Sequence, residues 1–189
     1  MLGKKTGATE GKGGSMHFYS KDKHFYGGNG IVGAQCSVGT GLAFALKYQR
    51  KPNVCVTMFG EGAANQGQLF EAANMAKLWN LPVLYFCENN KFGMGTSVER
   101  SSANPHFYSR GDTIPGIQFN GNNVYLVREV MKWAKNYALE KGPLFLEAIT
   151  YRYHGHSMSD PGLTYRTRDQ VQEARQKEDP ISLTKRILL

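Results

Sequence analysis

The sequence predicts an α/β fold, a parallel sheet with helices on both faces, and three observations predict it. Short apolar, β-rich runs stop abruptly at glycine or at polar residues. Segments of helical period lie between those runs, and the polar stops fall where a strand would hand over to a helix. The chain has 189 residues, 41% of them hydrophobic, which is enough for one domain with a substantial core, so residues 1–189 are read as a single domain.

Residues 1–30 are rich in glycine, with Gly11, Gly13-Gly14 and Gly27-Gly28-Asn29-Gly30, and predict an N-terminal loop that needs unusual backbone angles or approaches a ligand closely. From Ile31 onward Ala34, Val38, Leu42 and Ala45 recur at helical spacing, and Gly33, Gly39 and Gly41 let that helix pack closely on a sheet. Val54 to Phe59 reads as a buried parallel strand ended by Gly60 and Gly62. Leu69, Ala72, Ala73 and Ala76 follow helical spacing up to Leu81-Pro82, and a second strand, Val83 to Cys87, comes next. A polar loop runs to about residue 115. Val127, Val130, Met131, Ala134 and Ala138 then mark a helix that stops at Gly142-Pro143, and Leu144 to Thr150 reads as a strand. Tyr151 to Arg168 holds two His, two Ser, one Asp, two Gly and three Arg without hydrophobic period. It is a long functional loop or a disordered one.

No run approaches the roughly 20 apolar residues of a membrane-spanning helix, and Met1 to Gly14 reads as neither a secretory signal nor a transit peptide. Cys36, Cys55 and Cys87 are odd in number and far apart, which favours reduced, mostly buried thiols and a reducing compartment. The net charge is +8, yet the Lys and Arg are scattered, so nucleic acid is not an expected partner and an anionic ligand is.

Glu61 follows one predicted strand and Asn90 follows the next, 29 positions on, with one helix between them. In a parallel sheet that spacing brings a carboxylate and an amide oxygen to one edge, outside the carboxyl ends of the strands, where ligands bind. Magnesium takes oxygen ligands at about 2.0–2.1 Å and joins one or two protein oxygens to phosphates. Gly60 and Gly62 leave room for a diphosphate, and amides opening the next helix can donate to it. Singly, Gly-Glu-Gly and Asn-Asn are turns; in this order they are a specific signal.

Three stretches carry a resemblance: Gly60 to Gln68 (GEGAANQGQ), Cys87 to Ser97 (CENNKFGMGTS) and Tyr151 to Gly162 (YRYHGHSMSDPG). The chain resembles, over essentially its whole length, the alpha subunits of pyruvate dehydrogenase, within the thiamine diphosphate-dependent 2-oxo acid dehydrogenases. The resemblance implies the diphosphate-binding fold of that family, with thiamine diphosphate and Mg2+ as cofactors. It implies metal ligands at Glu61, Asn90 and the carbonyl of Phe92, aminopyrimidine contacts at Gly30 and Val32, and diphosphate contacts at Gly62, Ala63 and Arg152. Ser20 matches a further cofactor-adjacent position. His156 matches a residue that steers substrate or protons, suited to an imidazole that titrates near neutral pH, and His154 shares its loop. Ser157, Thr164 and Ser97 match phosphorylated positions; a phosphate at Ser157 adds roughly two negative charges beside His156.

The implied activity is oxidative decarboxylation of pyruvate with transfer of the acetyl unit to a lipoyl group. The implied partners are the beta subunit, in an alpha2beta2 heterotetramer, a lipoyl acyltransferase core, and a regulatory kinase and phosphatase; the implied location is the mitochondrial matrix. Against the family pattern, Glu61 stands where Asp is usual, an extra methylene that moves the carboxylate by over ~1 Å and predicts weaker cofactor binding. Phe92 replaces Tyr, the Lys21-Asp22-Lys23-His24 stretch is two residues longer, and the chain begins and ends at positions internal to the family. The alternative reading is a truncated, non-catalytic paralogue that binds the beta subunit or the kinase.

Overall fold

The computed structural model describes residues 2–189. Its elements in chain order are α1 (Ala34–Tyr48), β1 (Cys55–Gly60), α2 (Gly67–Leu78), β2 (Val83–Asn89), β3 (Phe92–Gly93), β4 (Thr96–Ser97), α3 (Val98–Ser101), β5 (Gly116–Asn120), α4 (Val124–Lys141), β6 (Leu144–Ile149), α5 (Arg168–Glu178) and α6 (Pro180–Leu188). The main sheet has the order β1-β2-β6-β5 and every pairing in it is parallel. The expected strands at 54–59, 83–87 and 144–150 are its first three members. β5 is a further edge strand inside what the sequence suggested was loop and inter-element chain. It is five residues long and only Phe119 in it is buried, so its apolar signal is weak.

Period-two alternation sorts β2 and β6 onto two cores. Val83, Tyr85, Cys87 and Phe145 face α1 and α2, together with Leu69, Ala72, Ala73 and Ala76 of α2. Leu84, Phe86, Leu144, Leu146 and Ala148 face α4 through Ala134 and Ala138. Helices therefore cover both faces, as buried parallel strands require. Tyr85 stacks on Phe145 with ring centroids 4.9 Å apart, and its hydroxyl shares a 2.6 Å hydrogen bond with Thr40 of α1. Among the described residues no helix is long and apolar enough to cross a membrane.

The packed face of α1 differs from the expected one. Cys36, Gly39, Thr40 and Ala43 are buried, whereas Val38 is half exposed. The reason is close approach: a methyl group on Gly39 would lie 2.6 Å from Thr57 Cβ, so the helix sets its glycine against β1. Thr57 Oγ1 donates to the Gln35 carbonyl at 2.8 Å and Gln35 Nε2 donates to the Met58 carbonyl at 3.2 Å, which fixes the docking. α4 begins where the Asn123 side chain accepts from the amides of Tyr125 and Leu126 and ends at Gly142, with φ 92°, as the sequence predicts. α5 and α6 carry no buried residue, and no apolar period marked α5. The first opens with a reciprocal Thr167–Gln170 capping box and the second with Asp179 before Pro180.

Candidate functional site

β1, β2 and β6 end together. Gly60 is in register with Glu88, and Asn89 with Ile149, so Glu61, Asn90 and the Thr150–Arg152 segment emerge along one edge of the sheet. Glu61 is buried, with 2% of its surface exposed. Its Oε2 accepts from the Asn90 amide at 3.1 Å and from Asn90 Nδ2 at 3.2 Å. A buried carboxylate normally needs a cation, yet among the described residues the only ion pair is Lys177–Glu173, on the surface of α5. Glu88 adds a second acid at this edge. Burial first, and then the Glu61 carboxylate, push its carboxyl above the usual range, although its side chain still meets solvent.

The chain after Asn90 is shaped for carbonyl display. Lys91 and Met94 take positive φ of 74° and 55°, a backbone that non-glycine residues adopt at a cost and that concentrates at functional sites. The Lys91 amide donates to Asn89 Oδ1 at 3.0 Å, and the short β3–β4 hairpin closes the segment, pairing Phe92 with Ser97. Arg152 reads the result. Its Nη1 donates to Asn90 Oδ1 at 3.2 Å and to the Phe92 carbonyl at 2.7 Å; Nη2 donates to the Met94 carbonyl at 2.6 Å and the Tyr165 hydroxyl at 2.7 Å. Gly62 crosses this hairpin, and a methyl group on it would sit 3.2 Å from Gly93 Cα, while one on Gly60 would meet open space. The backbone at the end of β1 is therefore open beside Gly60 and closely packed at Gly62. Ala63 is buried at the start of a 3-10 turn, Ala63–Asn65, that stands between Glu61 and α2. The amides that follow Glu61 thus open a tight turn first and the helix only at Gly67.

The segment 151–167 has no helix or strand but is built around two buried charges, Asp160 and Arg166. Asp160 Oδ2 accepts from the His156 amide at 2.8 Å and from the Tyr165 hydroxyl at 2.7 Å, and Oδ1 accepts from the Gly162 amide at 2.8 Å. The His156 amide foremost, then the Tyr165 hydroxyl, the Gly162 amide and the Arg152 charge, hold its carboxyl down to about 2. Arg166 donates to the carbonyls of Gly162, Arg152 and His154. These hydrogen bonds give the segment a specific fold without helix or strand.

Of the residues singled out in the sequence, Glu61, Asn90, the Phe92 carbonyl and Arg152 form one hydrogen-bonded cluster. His154, His156, Ser157 and Thr164 line the exposed side of the 151–167 loop, and both imidazoles face solvent without a hydrogen-bond partner among the described residues. Ser157 Oγ lies 3.0 Å from Ser159 Oγ. Ser97 is half-buried and precedes α3. Gly30 and Val32 sit apart from the cluster; the Val32 carbonyl accepts from Gln68 Nε2 of α2 at 3.0 Å. Ser20 pairs with Phe25 in an isolated bridge, and no hydrogen bond joins it to the Glu61 cluster among the described residues.

Five further residues shape the site: Asn89, Glu147, Asp160, Tyr165 and Arg166. Glu147 is wholly buried; its Oε1 accepts from Asn89 Nδ2 at 2.6 Å and its Oε2 from the Tyr108 amide at 3.0 Å. A charge inside the apolar run Leu144 to Ile149 was the signal available for it.

The sequence profile of the dehydrogenase E1 component matches residues 1–189. The chain belongs to the dehydrogenase E1 component family. Members of this family are thiamine diphosphate-dependent. The chain is 62% identical over 183 residues to a Caenorhabditis elegans protein named probable pyruvate dehydrogenase E1 component subunit alpha, mitochondrial, covering 96% of this chain and 46% of that protein. It is 58% identical over 186 residues to the human pyruvate dehydrogenase E1 component subunit alpha, somatic form, mitochondrial, covering 98% and 47%. With the Arabidopsis thaliana subunit alpha-1 it shares 54% over 189 residues, covering 100% and 49%. The chain spans about half the length of the curated relatives it matches.

Proposed function

We propose that residues 1–189 act as one unit, the alpha-type half of a thiamine diphosphate site in a pyruvate dehydrogenase E1. The reaction is oxidative decarboxylation of pyruvate with delivery of the acetyl unit to a lipoyl group. The observation that carries this reading is the convergence of Glu61, Asn90, the Phe92 carbonyl and Arg152 at the ends of adjacent parallel strands, in a chain 54–62% identical to proteins named as E1 alpha subunits. The relatives' names also support a mitochondrial location.

The donor chemistry fits a magnesium diphosphate. A carboxylate, an amide oxygen and a backbone carbonyl are the hard oxygen ligands Mg2+ takes, and the buried Glu61 has no basic partner among the described residues. Glu61, Asn90 and Phe92 hold the metal; Gly62, Ala63 and Arg152 face the diphosphate; Gly30 and Val32 serve the aminopyrimidine, with Ser20 the most remote candidate. When bound, thiamine diphosphate supplies the carbanion-stabilising chemistry. His156, assisted by His154, moves protons at the loop mouth. Ser157, Thr164 and Ser97 accept phosphate from a kinase and lose it to a phosphatase; the exposure of Ser157 and Thr164 on their loop supports that role. A beta subunit and a lipoyl acyltransferase core complete the assembly.

The test is co-expression with a pyruvate dehydrogenase beta subunit, followed by pyruvate decarboxylation with thiamine diphosphate and Mg2+. Activity of the complex and none from the chain alone is expected. Activity without any beta subunit refutes the half-site, and a stable complex that stays inactive even with Glu61→Asp refutes the catalytic reading.

A further inference from the structure

The turn that follows Glu61 is not held by its own caps. Neither Gly62, which opens the 3-10 turn, nor Gln66, which opens α2, makes a side-chain capping bond. Support comes instead from the segment between α3 and β5. Arg110 Nη1 donates to the Ala64 carbonyl at 3.0 Å and to Asn65 Oδ1 at 2.8 Å, and Ser102 Oγ donates to the same Oδ1 at 3.1 Å. Arg110 is itself fixed: Nη2 donates to the Asn104 carbonyl at 3.0 Å, and the guanidinium carbon lies 4.5 Å from the ring centroid of buried Phe107. This half-buried cation has no acidic partner within ion-pair distance among the described residues. The segment is also tightly packed, because a methyl group on Gly111 would lie 2.7 Å from a Phe145 ring carbon and one on Gly116 would run into the Tyr108 carbonyl.

The same segment reaches the other half of the site. The Tyr108 amide donates to Glu147 Oε2, and Glu147 Oε1 accepts from Asn89, the residue before Asn90. Arg110 is thus bonded to the turn that follows β1, and Tyr108, through Glu147, to the turn that follows β2. We propose that Arg110 is a positioning residue for the cofactor: it sets the 62–65 turn against the Asn89–Asn90 turn, so that the Gly62 and Ala63 backbone and the Glu61 and Asn90 oxygens meet a metal diphosphate at one fixed spacing. This rests on the reading of Glu61, Asn90, Gly62 and Ala63 as the metal and diphosphate set. The peptide group is planar, so an Ala64 carbonyl held by Nη1 also directs the Asn65 N–H, which closes the turn onto the Gly62 carbonyl. Arg110 makes no hydrogen bond to Glu61, Gly62, Ala63 or Asn90. It acts through the turn, and supporting groups of this kind are worth about 10- to 100-fold in metal affinity.

The test uses the chain co-expressed with a beta subunit, and calorimetric titration of thiamine diphosphate at saturating Mg2+. Arg110→Met keeps an apolar stem over Phe107 and removes the donors. Its affinity for thiamine diphosphate falls about tenfold, whereas the KM for pyruvate at saturating cofactor changes by less than about twofold. Arg110→Lys, an ammonium in place of a rigid fork, recovers about threefold of that loss. Without cofactor, the Asn65 and Gln66 amides that close the turn exchange hydrogen several times faster in Arg110→Met, and the Val83–Asn89 amides exchange at the wild-type rate. Wild-type affinity in Arg110→Met overturns the proposal, and so does a loss of affinity matched by an equal rise in the pyruvate KM and by faster exchange throughout the sheet. If Arg110→Met does not assemble with the beta subunit, Ser102→Ala decides: it removes one donor from Asn65 Oδ1, an about threefold weaker affinity is expected, and wild-type affinity overturns the proposal. Failure of the cofactor reading looks different. The wild-type complex itself then binds no thiamine diphosphate with Mg2+, which overturns both.

Discussion

Replacing Glu147 with Gln tests whether the site is positioned from below by a buried charge. The carboxylate is fully enclosed and has one donor for each oxygen, Asn89 Nδ2 at 2.6 Å and the Tyr108 amide at 3.0 Å. A glutamine of the same shape must turn its NH2 toward one of these donors. Asn89 cannot rotate to compensate, because its Oδ1 already accepts from the Lys91 amide at 3.0 Å. The variant thus replaces two hydrogen bonds to a charge, about 1.5–3 kcal/mol each, with one neutral bond of about 1 kcal/mol and a donor facing a donor. Relief of the buried charge offsets part of this loss, and the expected net destabilisation is about 2 kcal/mol, or a Tm lower by roughly 4–8 °C for a chain of this size. Urea unfolding at pH 7 with an unchanged m-value is the assay. The same variant should weaken binding of thiamine diphosphate with Mg2+ severalfold, since Asn89 sets the turn that presents Asn90. A midpoint equal to or above wild type would show that Glu147 is not held as a carboxylate by these two donors, and the positioning argument would fail with it.

Four other outcomes follow from contacts elsewhere in the fold. Asp160→Asn removes the acceptor that gathers His156, Tyr165 and Gly162; trypsin should cut after Arg166 and Arg168 several times faster, and an unchanged rate would count against the cage. Because the folded carboxyl lies near 2 against an ordinary 3.8, its contribution is present above about pH 4 and is lost as pH falls toward 2, so loop protection followed by hydrogen exchange should decline across that window. Gly155→Ala should break the same loop without touching a charge, because the added methyl runs into the Asp160 carbonyl; wild-type proteolysis rates would refute this. Burial pushes the Cys36 thiol up to about 12 and the Cys55 thiol to about 11, against an ordinary 9.0. Both should therefore resist iodoacetamide at pH 8 until urea is added, and the stability that their neutral forms supply should fall as pH rises from about 9 toward 12.

What could be read in advance depended on how each residue earns its place. Largely apolar runs announced β1, β2 and β6, and the alanine-rich stripe of α2 is buried at Leu69, Ala72, Ala73 and Ala76 as its spacing indicates. The register of α1 was misread because a glycine makes its closest contact, and hydrophobic period cannot see an absent side chain. β5 and α5 escaped for a shared reason: edge and surface elements bury too little to leave a pattern, although Thr167 and Gln170 spell a capping box that local chemistry could have caught. In the site, Glu61 and Asn90 were legible because strand ends in a parallel sheet are predictable places. Glu147, Asp160 and Arg166 were not singled out: Glu147 meets partners 58 and 39 positions away, and Asp160 and Arg166 meet theirs within a loop that has no hydrophobic period to mark burial.

The extra methylene of Glu61 predicts a carboxylate shifted by over ~1 Å and weaker cofactor binding. In the structure Oε2 accepts from both N–H groups of Asn90, and Oε1 accepts no hydrogen bond from the described residues. One oxygen therefore orients Asn90, and the other is the one the proposed function gives to a cation. Shortening the side chain with Glu61→Asp forces a choice between those tasks: a carboxylate drawn back by over ~1 Å either keeps the Asn90 amides or faces the cation. If the longer acid is matched to this hairpin, Glu61→Asp binds thiamine diphosphate with Mg2+ no more tightly than wild type in calorimetric titration. If it is merely a misfit, the aspartate variant binds more tightly, by about tenfold for each 1.4 kcal/mol of strain relieved. The sign of that one difference decides whether the unusual carboxylate is a defect of the site or part of its construction.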